Sequence, residues 1–178
     1  MPPKLRASVA MACIALVGLV HFSPPALADD RPDFSGAWTL DSRASDPVEE
    51  LLKAVGRSWL ERKAASSARV TQRIVQTDDA LTIEVDSTLR STTEVLRTDG
   101  SIRTLTNEKG NQVSSRTFWS EDGAALITST DAVLANGDRG RFVITRTIED
   151  GGRTLRQRLE LHMPDGRVLA ADRILRRI

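Results

Sequence analysis

Seven short clusters of turn-forming residues divide the chain after Arg69. They fall at Asp78-Asp79, Asp99-Gly100, Lys109-Gly110-Asn111, Asp122-Gly123, Asn136-Gly137-Asp138, Asp150-Gly151-Gly152 and Asp165-Gly166. Glycine supplies the positive φ that tight reversals need, and Asp and Asn bond back to their own backbone, so each cluster marks a change of direction. The segments between them alternate apolar and polar residues with period two, which predicts strands at 69–76, 81–88, 91–97, 101–107, 112–119, 124–130, 140–149, 153–162 and 167–177. An earlier strand at 34–41 brings the number to ten. Strands joined by reversals this short run antiparallel. Ten amphipathic strands avoid exposed edges best by curling closed, so the expected fold class is all-β, a single antiparallel up-and-down β-barrel of about ten strands.

One segment has helical period instead. Val48, Leu51, Leu52, Val55 and Trp59 fall on one stripe of a helix. Asp46 stands where an N-cap would, Pro47 suits the first helical position, and Glu49 completes a capping-box pattern. Gly56 interrupts the stripe, which predicts two short helices at 47–55 and 57–66. They form a helix-turn-helix lid between the first and second strands.

The first 28 residues read as a secretory signal peptide. Lys4 and Arg6 precede an apolar run from Val9 to Phe22, and Ala26-Leu27-Ala28 supplies a small-residue cleavage site. That run is shorter than the roughly 20 residues that span a bilayer. The expected product is residues 29–178, one domain, periplasmic or secreted after cleavage near Ala28. Cys13 is the only cysteine and lies in the leader, so neither a disulfide nor a thiolate is expected in the remainder. Without Lys4 and Arg6 the formal charge is −1, which gives no electrostatic reason to expect a nucleic-acid partner.

Little in the sequence points to catalysis. His162, beside Glu160, is the one histidine beyond the leader and reads as a surface residue. No phosphate-cradling glycine loop, nucleophile elbow or Cys/His cluster is present. No catalytic residue, metal site or cofactor is therefore expected, and the domain is expected to act as a monomer.

Phe34-Ser35-Gly36-Ala37-Trp38-Thr39-Leu40, the helical segment after it, and the run of hairpins to the C-terminus together resemble the calycin superfamily. Within it the layout is similar to the fatty-acid-binding proteins more than to the lipocalins, which usually place their helix after the barrel. The resemblance implies a ligand held inside the barrel, its acid group met by two interior arginines and a tyrosine. It carries the arginines onto Arg146 and Arg173 and replaces the tyrosine with Leu175. It also implies that Phe34, Gly36 and Trp38 close the barrel floor.

Strand parity selects the same arginines independently. Arg146 shares a face with Phe142, Ile144 and Ile148, and Arg173 with Leu169, Ala171 and Leu175. Arg156 and Arg158 oppose the face of Leu155, Leu159 and Leu161 and read as solvated. Phe118 and Trp119 lie on opposite faces, so one of them at most points inward. Two inward guanidiniums imply an anion in the cavity, water, or an inward acid such as Glu94.

The expected ligand-binding residues are Arg146, Arg173, Leu175, Ile144, Phe142 and Leu159. The ligand's apolar body is expected among Leu81, Ile83, Val85, Leu155, Leu159 and Leu161. These readings together suggest an exported carrier of a small amphipathic ligand, a fatty acid or other anionic lipid. Lys53, Arg57, Arg62 and Lys63 around the 47–66 hairpin would allow transient contact with a membrane surface. A second reading is a plugged barrel serving as an envelope interaction module, since Gln72, Thr92, Thr104, Thr106, Ser115, Thr117 and Thr128 recur at face positions. An isomerase or cyclase on the same barrel would need an inward acid–base pair, and the sequence presents none.

Overall fold

The computed structural model describes residues 31–107 and 110–178. The expected leader with Cys13, and Lys109 of one expected turn, lie outside the described residues.

Ten strands form one antiparallel sheet: β1 (Gly36–Leu40), β2 (Val70–Gln76), β3 (Ala80–Ser87), β4 (Ser91–Arg97), β5 (Arg103–Thr106), β6 (Gln112–Trp119), β7 (Leu126–Val133), β8 (Arg139–Glu149), β9 (Thr154–His162) and β10 (Val168–Arg177). Two helices, α1 (Glu49–Ala54) and α2 (Trp59–Ser67), lie between β1 and β2. The spatial order is β4-β3-β2-β1-β10-β9-β8-β7-β6-β5. Every turn-linked neighbour pairs as the turn chemistry requires, except β4 and β5. The first strand pairs with the last, Trp38 opposite Arg177 and Leu40 opposite Leu175, which curls the sheet into a barrel.

The barrel does not close by hydrogen bonds all the way round. β4 and β5 are the two edges of the sheet and share no ladder. A single bridge between Asp99 and Phe118 links the intervening segment to β6. β5 has four residues, all exposed, and β4 buries only Leu96. Neither edge carries enough inward apolar surface to hold the other against it.

The opening motif forms the floor. The indole Nε1 of Trp38 donates to the Phe34 carbonyl at 2.9 Å, and Phe34 stacks on Trp119 at 5.9 Å between ring centroids. Trp119 is thus the inward member of its pair, and Phe118 faces out beneath Arg116. Arg177 lies over Trp38 at 4.3 Å and donates from Nη1 to the Ser35 carbonyl and from Nε to the Gly152 carbonyl. Gly36 has φ +133, which favours glycine, and a Cβ there would stand 2.6 Å from Arg177 Nη1, so that guanidinium would have to shift. Around this seal Ile74, Leu81, Ile83, Leu96, Leu126, Leu155 and Leu175 complete one apolar core.

A second apolar cluster lies under the lid, where Leu51 of α1 meets Leu134, Leu161 and Ala171. The α1 helix is tied at both ends. The Ala135 N–H donates to the Ala54 carbonyl, and Asp46 and Asp172 exchange two hydrogen bonds that fix the chain entering α1 to β10. Asp46 is therefore not the N-cap expected from its spacing to Glu49. The strand contact has taken its carboxylate, and Val48 begins α1 without a side-chain cap. The capping box forms one helix later, between Ser58 and Glu61. Trp59 also departs from the expected apolar stripe, because Gly56, at φ +79, ends the first helix and re-aims the chain. Trp59 is 65% exposed and Leu60 70%. No helix of the described residues is long and apolar enough to cross a membrane.

Candidate ligand-binding site

The barrel interior is layered. Between the floor core and the lid cluster runs a polar belt of buried Thr117, Thr128, Arg146 and Gln157. Register places Arg146, Gln157 and Arg173 side by side on the inner face of β8, β9 and β10. Across the barrel, Gln72 of β2 and Gln157 of β9 form a reciprocal amide pair at 2.9 and 3.4 Å. Thr117 and Thr128 share a hydrogen bond at 3.1 Å beside it.

Arg146 is the charged member of the belt, at 4% exposure. Its Nη1 donates to Thr128 Oγ1 at 2.9 Å, while its Nε is buried without a partner. Burial lowers its pKa to about 10, an effect partly opposed by the charge of Glu94 on β4. The guanidinium remains charged at neutral pH.

Above the belt and beneath the lid is a cavity of about 450 Å³. Val48, Leu51, Leu52 and Val55 enter it from α1, Ala65 and Ala68 from α2 and its end, and Val70, Val85 and Leu89 from the β2–β3 side. Ser87, Phe142, Leu159 and Arg173 complete the wall. The lining is almost wholly apolar, and Arg173 is its one charged group. No hydrogen-bond acceptor or acid contacts the Arg173 guanidinium among the described residues, and burial lowers its pKa. Burying a guanidinium without a partner costs free energy, and a carboxylate or phosphate is the group that best offsets that cost.

Of the residues expected at a ligand site, Arg173, Phe142 and Leu159 line this cavity. Arg146 lies in the belt, Ile144 is half-buried on β8 between Phe142 and Arg146, and Leu175 belongs to the floor core. The expected apolar body is placed differently. Leu81, Ile83 and Leu155 are packed into the floor and Leu161 into the lid cluster, leaving Val85 and Leu159 at the cavity. Lid residues Leu52, Ala65 and Ala68, which periodicity alone does not assign to a cavity, take their place. Arg156 and Arg158 face outward as expected and bond to Asp172 at 2.6 and 3.5 Å. His162 lies on the outer surface, 3.7 Å from Glu160. Among the described residues no three His, Cys, Asp or Glu side chains converge as metal ligands.

No family model matches the chain. Over 107 residues it is 32% identical to sodium/calcium exchanger regulatory protein 1 of Doryteuthis pealeii, a stretch covering 58% of this chain and 77% of that protein. Apo lipid binding protein 8 of Caenorhabditis elegans superposes with a TM-score of 0.65 at 21% identity, over 82% of this chain and 95% of that one. The chain belongs to the calycin superfamily, in its fatty-acid-binding-protein-like family. Two further members illustrate the breadth of this family. A Schistosoma mansoni fatty acid binding protein solved with arachidonic acid gives a TM-score of 0.62 at 20% identity, over 82% and 96% of the two chains. Human cRBP IV gives 0.60 at 24% identity, over 83% and 99%. As a calycin, this chain departs from the family pattern at Leu175, whose side chain is committed to the floor while Arg173, two residues earlier, reaches the cavity.

Proposed function

We propose that this chain is a non-enzymatic carrier that holds a single-chain amphipathic lipid, a fatty acid or related anion, with its tail under the lid and its acid group on Arg173. The observation that carries this reading is the pairing of an apolar cavity of about 450 Å³ with one unpaired, half-buried guanidinium in its wall. Lipid-binding neighbours, including one solved with arachidonic acid, support it. Arg146 takes a different part. It lies in the belt that divides the interior, bonded to Thr128 beside the Gln72–Gln157 pair, and leaves the acid group to Arg173.

The carrier is exported, its leader marked by Lys4, Arg6, the apolar run and Ala28. It acts as a monomer, and exposed Trp59 and Leu60 at the start of α2 touch membrane surfaces during exchange. Native mass spectrometry of protein purified from its own envelope tests the reading. A bound monoacyl lipid, a mature N-terminus at residue 29, and a loss of about ten-fold or more in fatty-acid affinity in Arg173→Ala are expected. Protein free of lipid that also fails to bind added fatty acid would overturn it.

A further inference from the structure

The lid cavity adjoins a polar annex of about 270 Å³ at Arg173, Val48 and Ala65, which line both. The annex lies between the β1–α1 connection and α2. Besides Arg173 its polar wall comprises Arg62, Ser42, Ser45, Ser66, Asp46 and Glu49. Arg62 rises from α2 with its side chain 16% exposed. Its Nη1 donates to the Arg57 carbonyl at 2.8 Å, and its buried Nε has no hydrogen-bond partner. Glu49 is 3.6 Å from that Nε but 60% exposed. Asp46 is exposed too, with Oδ2 accepting from the Asp172 N–H.

Charge and depth are therefore ordered along one path. An apolar chamber comes first, then two sheltered guanidiniums, then two carboxylates at the rim. A bare fatty acid uses the chamber and Arg173 and leaves the annex idle. We infer that the site is built for a single-chain zwitterionic phospholipid, with its phosphodiester between Arg173 and Arg62 and its terminal ammonium at Glu49 and Asp46. The sequence of the path matches the sequence of such a molecule: acyl chain, phosphate, amine. Guanidinium suits a phosphodiester because its planar donors meet two oxygens at once. The rim acids explain why the amine is needed, since a headgroup carrying only negative charge would approach two carboxylates uncompensated. This inference rests on the carrier reading and specifies its cargo.

Titration calorimetry below the micellar range, with lysophosphatidylethanolamine, lysophosphatidylglycerol and free fatty acid of equal chain length, tests it on the full domain. The ethanolamine lipid is expected to bind at least about ten-fold tighter than the fatty acid and several-fold tighter than the glycerol lipid. Arg62→Gln is expected to lower the ratio of lysophospholipid to fatty-acid affinity about ten-fold, with Arg62→Lys restoring part of it. Glu49→Gln is expected to abolish the preference for ethanolamine over glycerol, and thermal melts of each variant establish that it is folded. Fatty acid binding as tightly as both lysophospholipids, or equal losses for all three ligands in folded Arg62→Gln, would overturn the inference and leave the carrier reading standing. Failure of all three to bind would overturn both.

Discussion

Replacing Arg146 with methionine separates the belt from the ligand site. Arg146 is a charged group at 4% exposure with one side-chain hydrogen bond to Thr128, an unpartnered Nε, and an acid, Glu94, that acts on it only across a gap. Exchanging buried ionic groups for apolar residues of similar size is neutral or stabilising by about 1–4 kcal/mol. Methionine follows the same unbranched path and fills an irregular space well. The lost hydrogen bond opposes the gain by about 1 kcal/mol, and Thr128 keeps its bond to Thr117. A net gain of up to about 3 kcal/mol follows, which in a domain of this size raises Tm by up to roughly 10 °C. Circular dichroism melts of the apo protein at neutral pH give the stability, and fatty-acid titration of the same samples gives the affinity. The expected variant is more stable and binds within about two-fold of the parent. A variant that melts several degrees lower and loses affinity as severely as Arg173→Ala would refute the reasoning, because Arg146 would then be repaid for its burial by the ligand.

Gly36→Ala forces a side chain into an uncommon backbone region and against Arg177, so a loss of about 2 kcal/mol in urea unfolding is expected, with ligand affinity of the folded fraction unchanged. Asp172 is held below its usual pKa chiefly by the hydrogen bond from Arg156, opposed by burial and aided by the charges of Arg156 and Arg158. A carboxylate lowered on folding contributes stability above its unfolded pKa of about 4 and loses it as pH falls through the lowered value. Unfolding free energies measured from neutral pH downward are accordingly expected to fall less steeply below about pH 4 in Asp172→Asn than in the parent; identical slopes would contradict the assignment. Trp59→Ser with Leu60→Ser is expected to slow transfer of a fluorescent fatty acid to vesicles several-fold while leaving its equilibrium affinity nearly constant. Equal transfer rates would remove α2 from the exchange step.

The strands were legible because turn chemistry is local. Gly100, Gly123, Gly137 and Gly166 mark reversals wherever they fall, and alternation then assigns faces. What alternation does not encode is depth. Arg173 and Leu175 share a face, yet one lines the cavity and the other is sealed under Trp38, because the floor consumes the inward residues at one end of every strand. The same blindness put Leu81, Ile83 and Leu155 at the ligand's tail. Edge behaviour was hidden for a related reason: reversals specify which strands adjoin in sequence, whereas the separation of β4 from β5 depends on how little either one buries. At Asp46 a good local signal lost to a tertiary one, since its carboxylate bonds the backbone of β10, 126 residues away, rather than its own helix. The annex was beyond reach altogether, as Arg62 of α2 and Arg173 of β10, far apart in sequence, come to line one pocket only through tertiary packing.

The central claim is that Arg173, and not Arg146, receives the ligand's acid group. Nuclear magnetic resonance of carboxyl-labelled fatty acid bound to the protein tests it most directly. The bound carboxylate is expected to titrate below its free value, held ionised by the Arg173 guanidinium, and that depression should vanish in Arg173→Ala and persist in Arg146→Met. A depression that survives the loss of Arg173 and disappears with Arg146 would contradict the account.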